Sequence, residues 1–293
     1  MIVSALAELA GVPARAIIIN CSTRAVSTLA LMSVLRHANM PALLIDCAST
    51  DGSWAWFSTL AKQYPFDLLK MPLRPHGQTL DQIFRASRDE TLLLVDSDLE
   101  ILQADIFPKL HLLTADQSAY GVGFLHPGGA MPANAPIQAN AGRYMDRMWI
   151  PFCLLKVTPI KRTVAAGSTF MHSRDYLEFP WHGGLSRLIY ARHRLPGLRG
   201  ISLEIFADSR ERIHGERVPF REYDTGARVH QALVGQGQHL AHLGEPYWSQ
   251  SLRHYHGVTR ATLTQDFQNA TVPGAIAAEV AARLASEYQL VVS

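Results

Sequence analysis

The chain has 293 residues, of which 48% are hydrophobic and 18% charged, enough for one large α/β domain or one such domain with a small appendage. A formal net charge of +2 gives no electrostatic ground for a nucleic-acid or membrane-surface partner. No window approaches the roughly 18 consecutive apolar residues of a bilayer-spanning helix, since the longest candidate, Met148 to Ile160, is broken by Pro151, Lys156 and Pro159.

The first hundred residues alternate short apolar runs with helical spacing. Ala16 to Asn20 reads as a strand, and Ser27 to His37 follows as a helix from the spacing of Leu29, Met32, Val34 and Leu35. A second strand, Ala42 to Asp46, leads through the turn Ser49 to Ser53 into a helix over Trp54 to Gln63. A third extended stretch covers Phe66 to Met71, a helix covers Thr79 to Ala86, and a fourth strand covers Thr91 to Val95. Unbroken apolar runs separated by helices predict a mostly parallel sheet covered on both faces, the nucleotide-binding type of α/β half-domain.

The second half is less regular. Tyr120 to Leu125 reads as a strand, and the Pro- and Gly-rich stretch from His126 to Pro136 as a loop. Further extended segments are expected at Trp149 to Val157 and Ala166 to Met171, with a helix over Ala227 to Val234. Leu188 to Arg221 is rich in Arg and His, and Ala275 to Tyr288 has the spacing of an amphipathic helix packed on the body. The three cysteines, Cys21, Cys47 and Cys153, are odd in number and widely spaced, which predicts buried free thiols. With no secretion-type start, the expected location is the cytoplasm.

In parallel α/β sheets, ligands bind beyond the carboxyl ends of the strands. Those ends carry Asn20, Ser22, Thr23 and Arg24, then Asp46 and Asp51, then Asp96, Ser97 and Asp98. No G-x-G-x-x-G follows the first strand and no G-x-x-x-x-G-K-[ST] occurs, which argues against a dinucleotide site and a P-loop. Asp96 and Asp98, two residues apart, point to one side of an extended backbone. Carboxylates held that close repel unless a cation lies between them, and oxygen ligands suit Mg2+ or Mn2+ with substrate phosphates. The plainer alternative is that one aspartate caps the following turn.

The order of these features resembles the donor half of a GT-A glycosyltransferase, most like the family 2 type. The resemblance covers about residues 15 to 102: Asn20 to Arg24, Asp46 with Asp51-Gly52-Ser53, His76-Gly77 before a helix with Asp81, and Leu92 to Asp98 as LLLVDSD. It implies a nucleotide-diphospho-sugar transferase with a Rossmann-like sandwich, a single domain over 1–293. The donor half would occupy about 15–115, the acceptor half about 116–274 and a C-terminal helix 275–293. Asp46 and Asp51 would face base or ribose, and Asp96 and Asp98 would flank a Mn2+ or Mg2+ on the diphosphate, with Asp98 the direct ligand. One departure is the stretch from Asp46 to Ser53, where many relatives carry adjacent acids after the strand.

The same resemblance assigns a carboxylate on the acceptor side as general base of an inverting reaction. Asp224 fits by position, with Glu222 beside it and Glu204 and Asp208 behind; Asp224 as a helix N-cap is the competing reading. His256, followed by Gly257, resembles a C-terminal element that supplies a third metal ligand, with His254 as its substitute. Arg24, Arg85 and members of the cluster Arg192, Arg194, Arg199, Arg210 and Arg212 could meet diphosphate. Trp149, Trp181 and Trp248 either stack on sugars or pack in the core.

The expected activity is therefore hexosyltransferase-like: a sugar moves from a nucleotide-sugar donor to a glycan or small-molecule acceptor, with the 126–136 loop as a lid. A peripheral membrane contact stays compatible with this, and no oligomeric state is read. Competing readings are a sugar-phosphate nucleotidyltransferase, a phosphatase with an aspartyl nucleophile in DSD, and a non-catalytic nucleotide-sugar or glycan-binding module. The first lacks its Gly-rich basic loop, and the second would place the motif after the first strand.

Overall fold

The unbroken apolar runs become central strands. The computed structural model describes residues 1–126, 145–176, 212–213, 216–217, 220–255, 258 and 272–292. Its first half comprises β1 (Ile2–Val3), β2 (Ala14–Asn20), α1 (Arg24–His37), β3 (Ala42–Cys47), α2 (Ser53–Leu60), β4 (Asp67–Met71), α3 (His76–Ala86) and β5 (Thr91–Asp96). Next come β6 (Leu99–Ile101), α4 (Ile106–Thr114), β7 (Ala119–His126), β8 (Arg147–Lys156), α5 (Val157–Ala165) and β9 (Ser173–Tyr176). The described elements close with β10 (Arg212–Ile213), β11 (Glu216–Arg217), β12 (Phe220–Tyr223), α6 (Ala227–Gly235), β13 (His239–His242), α7 (Glu245–Gln250), β14 (Leu252–His254) and α8 (Val272–Tyr288).

Eight strands form one sheet in the order β1-β4-β3-β2-β5-β8-β7-β13. Every neighbouring pair is parallel except the two made by β8, which alone runs against the rest. All six residues of β3 are buried, as a strand covered on both faces requires. One core layer joins Ile18, Leu44, Leu93 and Phe152 to Leu31, Phe57 and Leu110, under α1, α2 and α4. The other joins Ile17, Leu43, Leu94 and Cys153 to Phe84, Ile160 and Val229, under α3, α5 and α6. The fold is thus the mostly parallel α/β sandwich expected from the sequence.

Three local expectations change. Ala166 to Met171 is not a strand, because the chain is helical through Ala165 and turns at Gly167 with φ +104°. Val157, Ile160, Thr163 and Val164 are the buried stripe of α5, and Pro159 falls in its first turn, where a missing N–H loses no helical bond. The helix expected from Thr79 begins at His76. Finally, β8 lies antiparallel between β5 and β7, a placement that apolar content alone does not encode.

The C-terminal helix α8 packs as expected: Val280 and Leu284 are fully buried against Val26 and Leu29 of α1 and against Tyr255. The three cysteines are free, and burial pushes the Cys47 thiol up to about 12. Of the loop 126–136 only His126 lies within the described residues. Trp181, Arg192, Arg194, Arg199, Glu204, Asp208, Arg210 and His256 also lie outside them, so the expectations placed there are not addressed by this structure.

Candidate functional site

The ladder between β5 and β8 ends at Val95–Phe152. The next residue outward on β8 is Pro151, which has no N–H to donate. Freed of a partner there, the chain turns after Asp96 through Ser97 and Asp98 and re-enters extended backbone as β6. Asp96 and Asp98 therefore converge across a turn, not by alternation along one strand. β6 pairs antiparallel with β14, setting His254 opposite Leu99, and the Tyr255 N–H donates to the Asp98 carbonyl at 2.8 Å.

This register brings three side chains together. One ligand atom each from Asp96, Asp98 and His254 lie within 4.8 Å of one another. His254 Nε2 is 3.1 Å from Asp98 Oδ1, and both side chains are largely buried, at 13% and 6% exposure. Among the described residues none donates a hydrogen bond to the Asp96 carboxylate. Burial pushes that carboxyl up; His76 opposes the shift, Asp98 adds to it and His254 opposes it. A buried carboxylate with no donor among the described residues, beside a second one, is costly to keep charged unless a cation joins them.

The donor set fits a divalent metal. Neighbouring ligands on an octahedral ion at about 2.1 Å are about 3 Å apart, close to the observed Asp98–His254 separation. Two carboxylates and an imidazole suit Mn2+ better than Mg2+. His254 is held from below by Trp149, whose ring meets it edge-on at 5.3 Å. Trp149 in turn packs on Trp248 at 4.0 Å and on Phe124 at 5.9 Å. Both tryptophans take part in this packing.

The rim over β2 and β3 is built differently. Asn20 is fully buried, and its Nδ2 donates to Asp46 Oδ1 at 2.7 Å and to Ser49 Oγ at 2.9 Å. Its Oδ1 accepts from the Thr23 hydroxyl at 2.9 Å and the Ser27 hydroxyl at 2.8 Å. Asp46 is also fully buried, its other oxygen facing the Ser49 N–H at 3.4 Å. These two side chains lie beneath the rim and face each other.

Above them the loops are tied together. The Ser22 N–H donates to Ser49 Oγ at 2.8 Å and the Thr50 N–H to Ser22 Oγ at 3.0 Å. Ser22 and Ala48 adopt φ +52° and +51°, a left-handed conformation costing about 1 kcal/mol or more for a residue with a side chain. Asp51 caps two helices at once, accepting from the Arg24 N–H and the Ser53 N–H, each at 3.0 Å. Burial of Asp51 works to raise its carboxyl, but the hydrogen bonds from Ser53 and Arg24 outweigh it and the net shift is downward.

Asp224 follows β12 but does not cap α6; Gly226, at φ +86°, occupies the N-cap position with no side-chain cap. The Asp224 carboxylate instead meets Arg147 Nη2 at 3.2 Å and stays 42% exposed. A Cβ on Gly226 would lie 3.0 Å from Ile150 of β8, so the segment is seated on that strand. A buried relay holds it from the other side. Asp81 of α3 accepts from the Phe170 N–H at 2.9 Å, and the Phe170 carbonyl accepts from the Gly226 N–H at 3.0 Å. Gly77 permits this approach, because a Cβ there would lie 2.5 Å from Phe170 backbone atoms.

Glu222 lies on β12, in register with Arg174 of β9. Arg85 is exposed at the far end of α3, about 13 Å along the axis from His76. The structure therefore does not bring Arg85 to Asp96. Residues the sequence reading left without a role are His76, which acts electrostatically on Asp96; Arg147, paired with Asp224; and Asp81, the relay anchor. The His76-Gly77 and Asp81 positions were at least marked by the resemblance, whereas nothing marked Arg147.

No protein-family model and no curated protein matches the sequence. Among solved structures, a mannosyltransferase from Pyrobaculum calidifontis in complex with GDP-Man and Mn2+ is similar over 51% of this chain and 46% of its own, with 15% identity and a TM-score of 0.41. Residues 1–349 of S. aureus TarS in complex with UDP-GlcNAc match over 52% of this chain and 47% of that one, with 12% identity and a TM-score of 0.38. Glucosyl-3-phosphoglycerate synthase from Mycobacterium tuberculosis in complex with phosphoglyceric acid matches over 50% and 57%, with 15% identity and a TM-score of 0.35. The chain thus spans about half the length of the structures it matches. No described helix is long and apolar enough to cross a membrane.

Proposed function

We propose that the chain is a metal-dependent glycosyltransferase of the GT-A type, moving a sugar from a nucleotide-diphosphate donor to an acceptor hydroxyl with inversion. The observation that carries this reading is the convergence of Asp96, Asp98 and His254 at the carboxyl end of β5. Asp96 and Asp98 would hold Mn2+ or Mg2+ with His254 completing the set. The metal, when bound, supplies positive charge to offset the charge building on the leaving diphosphate. Ser22, Arg24 and Ser97 would face the donor, while Asn20, Thr23, Asp46 and Asp51 tie the two loops together from within.

Asp224 is the general base in this reading, with Glu222 its neighbour. Arg147 orients one of its carboxylate oxygens, and the other takes the acceptor hydroxyl proton as that oxygen attacks the anomeric carbon. The bond from that carbon to the diphosphate breaks, and the electron pair leaves with the diphosphate. The acceptor, a glycan or small molecule, would enter over the half from about 116 to 274, and the donor over about 15 to 115. The reaction would take place in the cytoplasm, where nucleotide sugars serve as donors.

A thermal-shift panel of nucleoside diphosphates tests the reading. A ligand binding the folded state raises the melting temperature by mass action, so at least one nucleoside diphosphate should raise it with saturating Mn2+ and lose most of that effect without the metal. If none does, the glycosyltransferase reading fails.

A further inference from the structure

Glu100 lies two residues beyond Asp98, on β6, and is fully buried. A carboxylate removed from water must be paired and hydrogen-bonded. Its partner comes from far along the chain: Arg283 of α8, 183 residues away, donates to Glu100 Oε1 from Nε at 2.9 Å and from Nη2 at 2.6 Å. The other oxygen accepts from the Tyr255 hydroxyl at 3.0 Å. Tyr255 is the residue after His254, and its own N–H bonds the Asp98 carbonyl. The β6/β14 pair that presents Asp98 and His254 is therefore locked, two residues past Asp98 and one past His254, by a charge that Arg283 of α8 neutralises. The exposed Arg253–Glu279 pair, with both side chains 46% exposed, adds little to this.

Asp98 and His254 approach each other only in the present register of β6 against β14. A slip of either strand would break the Tyr255–Glu100 bond and leave Glu100 Oε2 without that donor. We infer that Glu100 and Arg283 are positioning residues through which docking of α8 and metal binding at Asp96, Asp98 and His254 stabilise each other. The inference rests on the metal site proposed above. Coupling of this kind is reciprocal: whatever factor docking contributes to metal affinity, the metal returns to docking.

Hydrogen exchange over α8, measured on the full chain with and without saturating Mn2+, tests it. Mn2+ should slow exchange at residues 280 to 288 about fivefold or more, and Arg283→Met should weaken Mn2+ binding, read by electron paramagnetic resonance, by the same factor. If Arg283→Met does not fold, the paired Glu100→Gln and Arg283→Met variant, which leaves no buried charge, is read in its place. It should bind Mn2+ more weakly, with exchange in α8 no longer responding to the metal. Tight Mn2+ binding with unchanged α8 exchange overturns the coupling and leaves the metal site standing. Failure of the unaltered chain to bind Mn2+ removes the site and the coupling together.

Discussion

Two rims of the same sheet carry aspartates at strand ends and differ in what those aspartates do. Over β2 and β3, Asn20, Asp46 and Asp51 spend their hydrogen-bonding capacity on one another, on Ser49 and on the N-termini of α1 and α2. Over β5, Asp96 meets no described donor and Asp98 meets one imidazole. Acidity at a strand end is therefore a poor guide to ligand binding. Whether the lone pairs are already satisfied within the fold is the better one.

The largest expected difference between the rims is in metal affinity. Asp98→Ala should weaken Mn2+ binding by more than the 10–100-fold typical of losing a partner outside the ligand set, whereas Asp46→Asn should leave it unchanged. The contrast breaks if Asp46→Asn has the larger effect in the same titration. Stability should respond the other way. Asn20→Ala strips hydrogen bonds from Asp46, Ser49, Thr23 and Ser27 and should lower unfolding free energy by about 3 kcal/mol in urea melts, with Mn2+ affinity retained in the folded protein.

Gly77→Ala probes the wall behind the open rim. Its new methyl would press on Phe170, and overpacking of that kind costs about 1–3 kcal/mol. The loss should appear in the melting temperature and as faster hydrogen exchange around Phe170 and Gly226. A neutral Gly77→Ala would show that α3 and the Asp224 segment are not in firm contact.

The smallest effect concerns pH. His230 is buried on α6 with Nδ1 2.6 Å from the Tyr120 hydroxyl, and burial lowers its imidazole below the ordinary value. Well above about pH 6.5 neither the folded nor the unfolded form binds a proton there. As pH falls below that, the unfolded chain takes up the proton while the fold resists, so stability drops with acidification. His230→Gln should flatten this slope by at most about 1.4 kcal/mol per pH unit. A slope unchanged by the substitution would contradict the assignment.

Much of the parallel half was legible in the sequence, because a strand buried on both faces must be apolar throughout, as Ala42 to Ile45 and Leu92 to Val95 are. The stripe of α8 was legible for the same reason. Other features depend on partners distant in the chain. Asn20 is saturated by residues up to 29 positions away, and Glu100 finds Arg283 across 183, so no local pattern announces either. α5 was hidden by Pro159 and by the basic residues on its exposed side. His254 was ranked behind His256 because a three-residue strand such as β14 has no periodicity to show which way its residues face. The structure brings His254 to the carboxylates through the β6 register, while His256 lies outside the described residues.

The central claim is that the β5 rim holds a divalent metal between Asp96, Asp98 and His254. Electron paramagnetic resonance of Mn2+ added to the chain reads this directly. The free-ion signal should fall in proportion to added protein, nitrogen coupling from an imidazole should appear on the bound ion, and that coupling should vanish in His254→Ala. A free-ion signal that the protein leaves untouched, or bound Mn2+ whose nitrogen coupling survives His254→Ala, would contradict it.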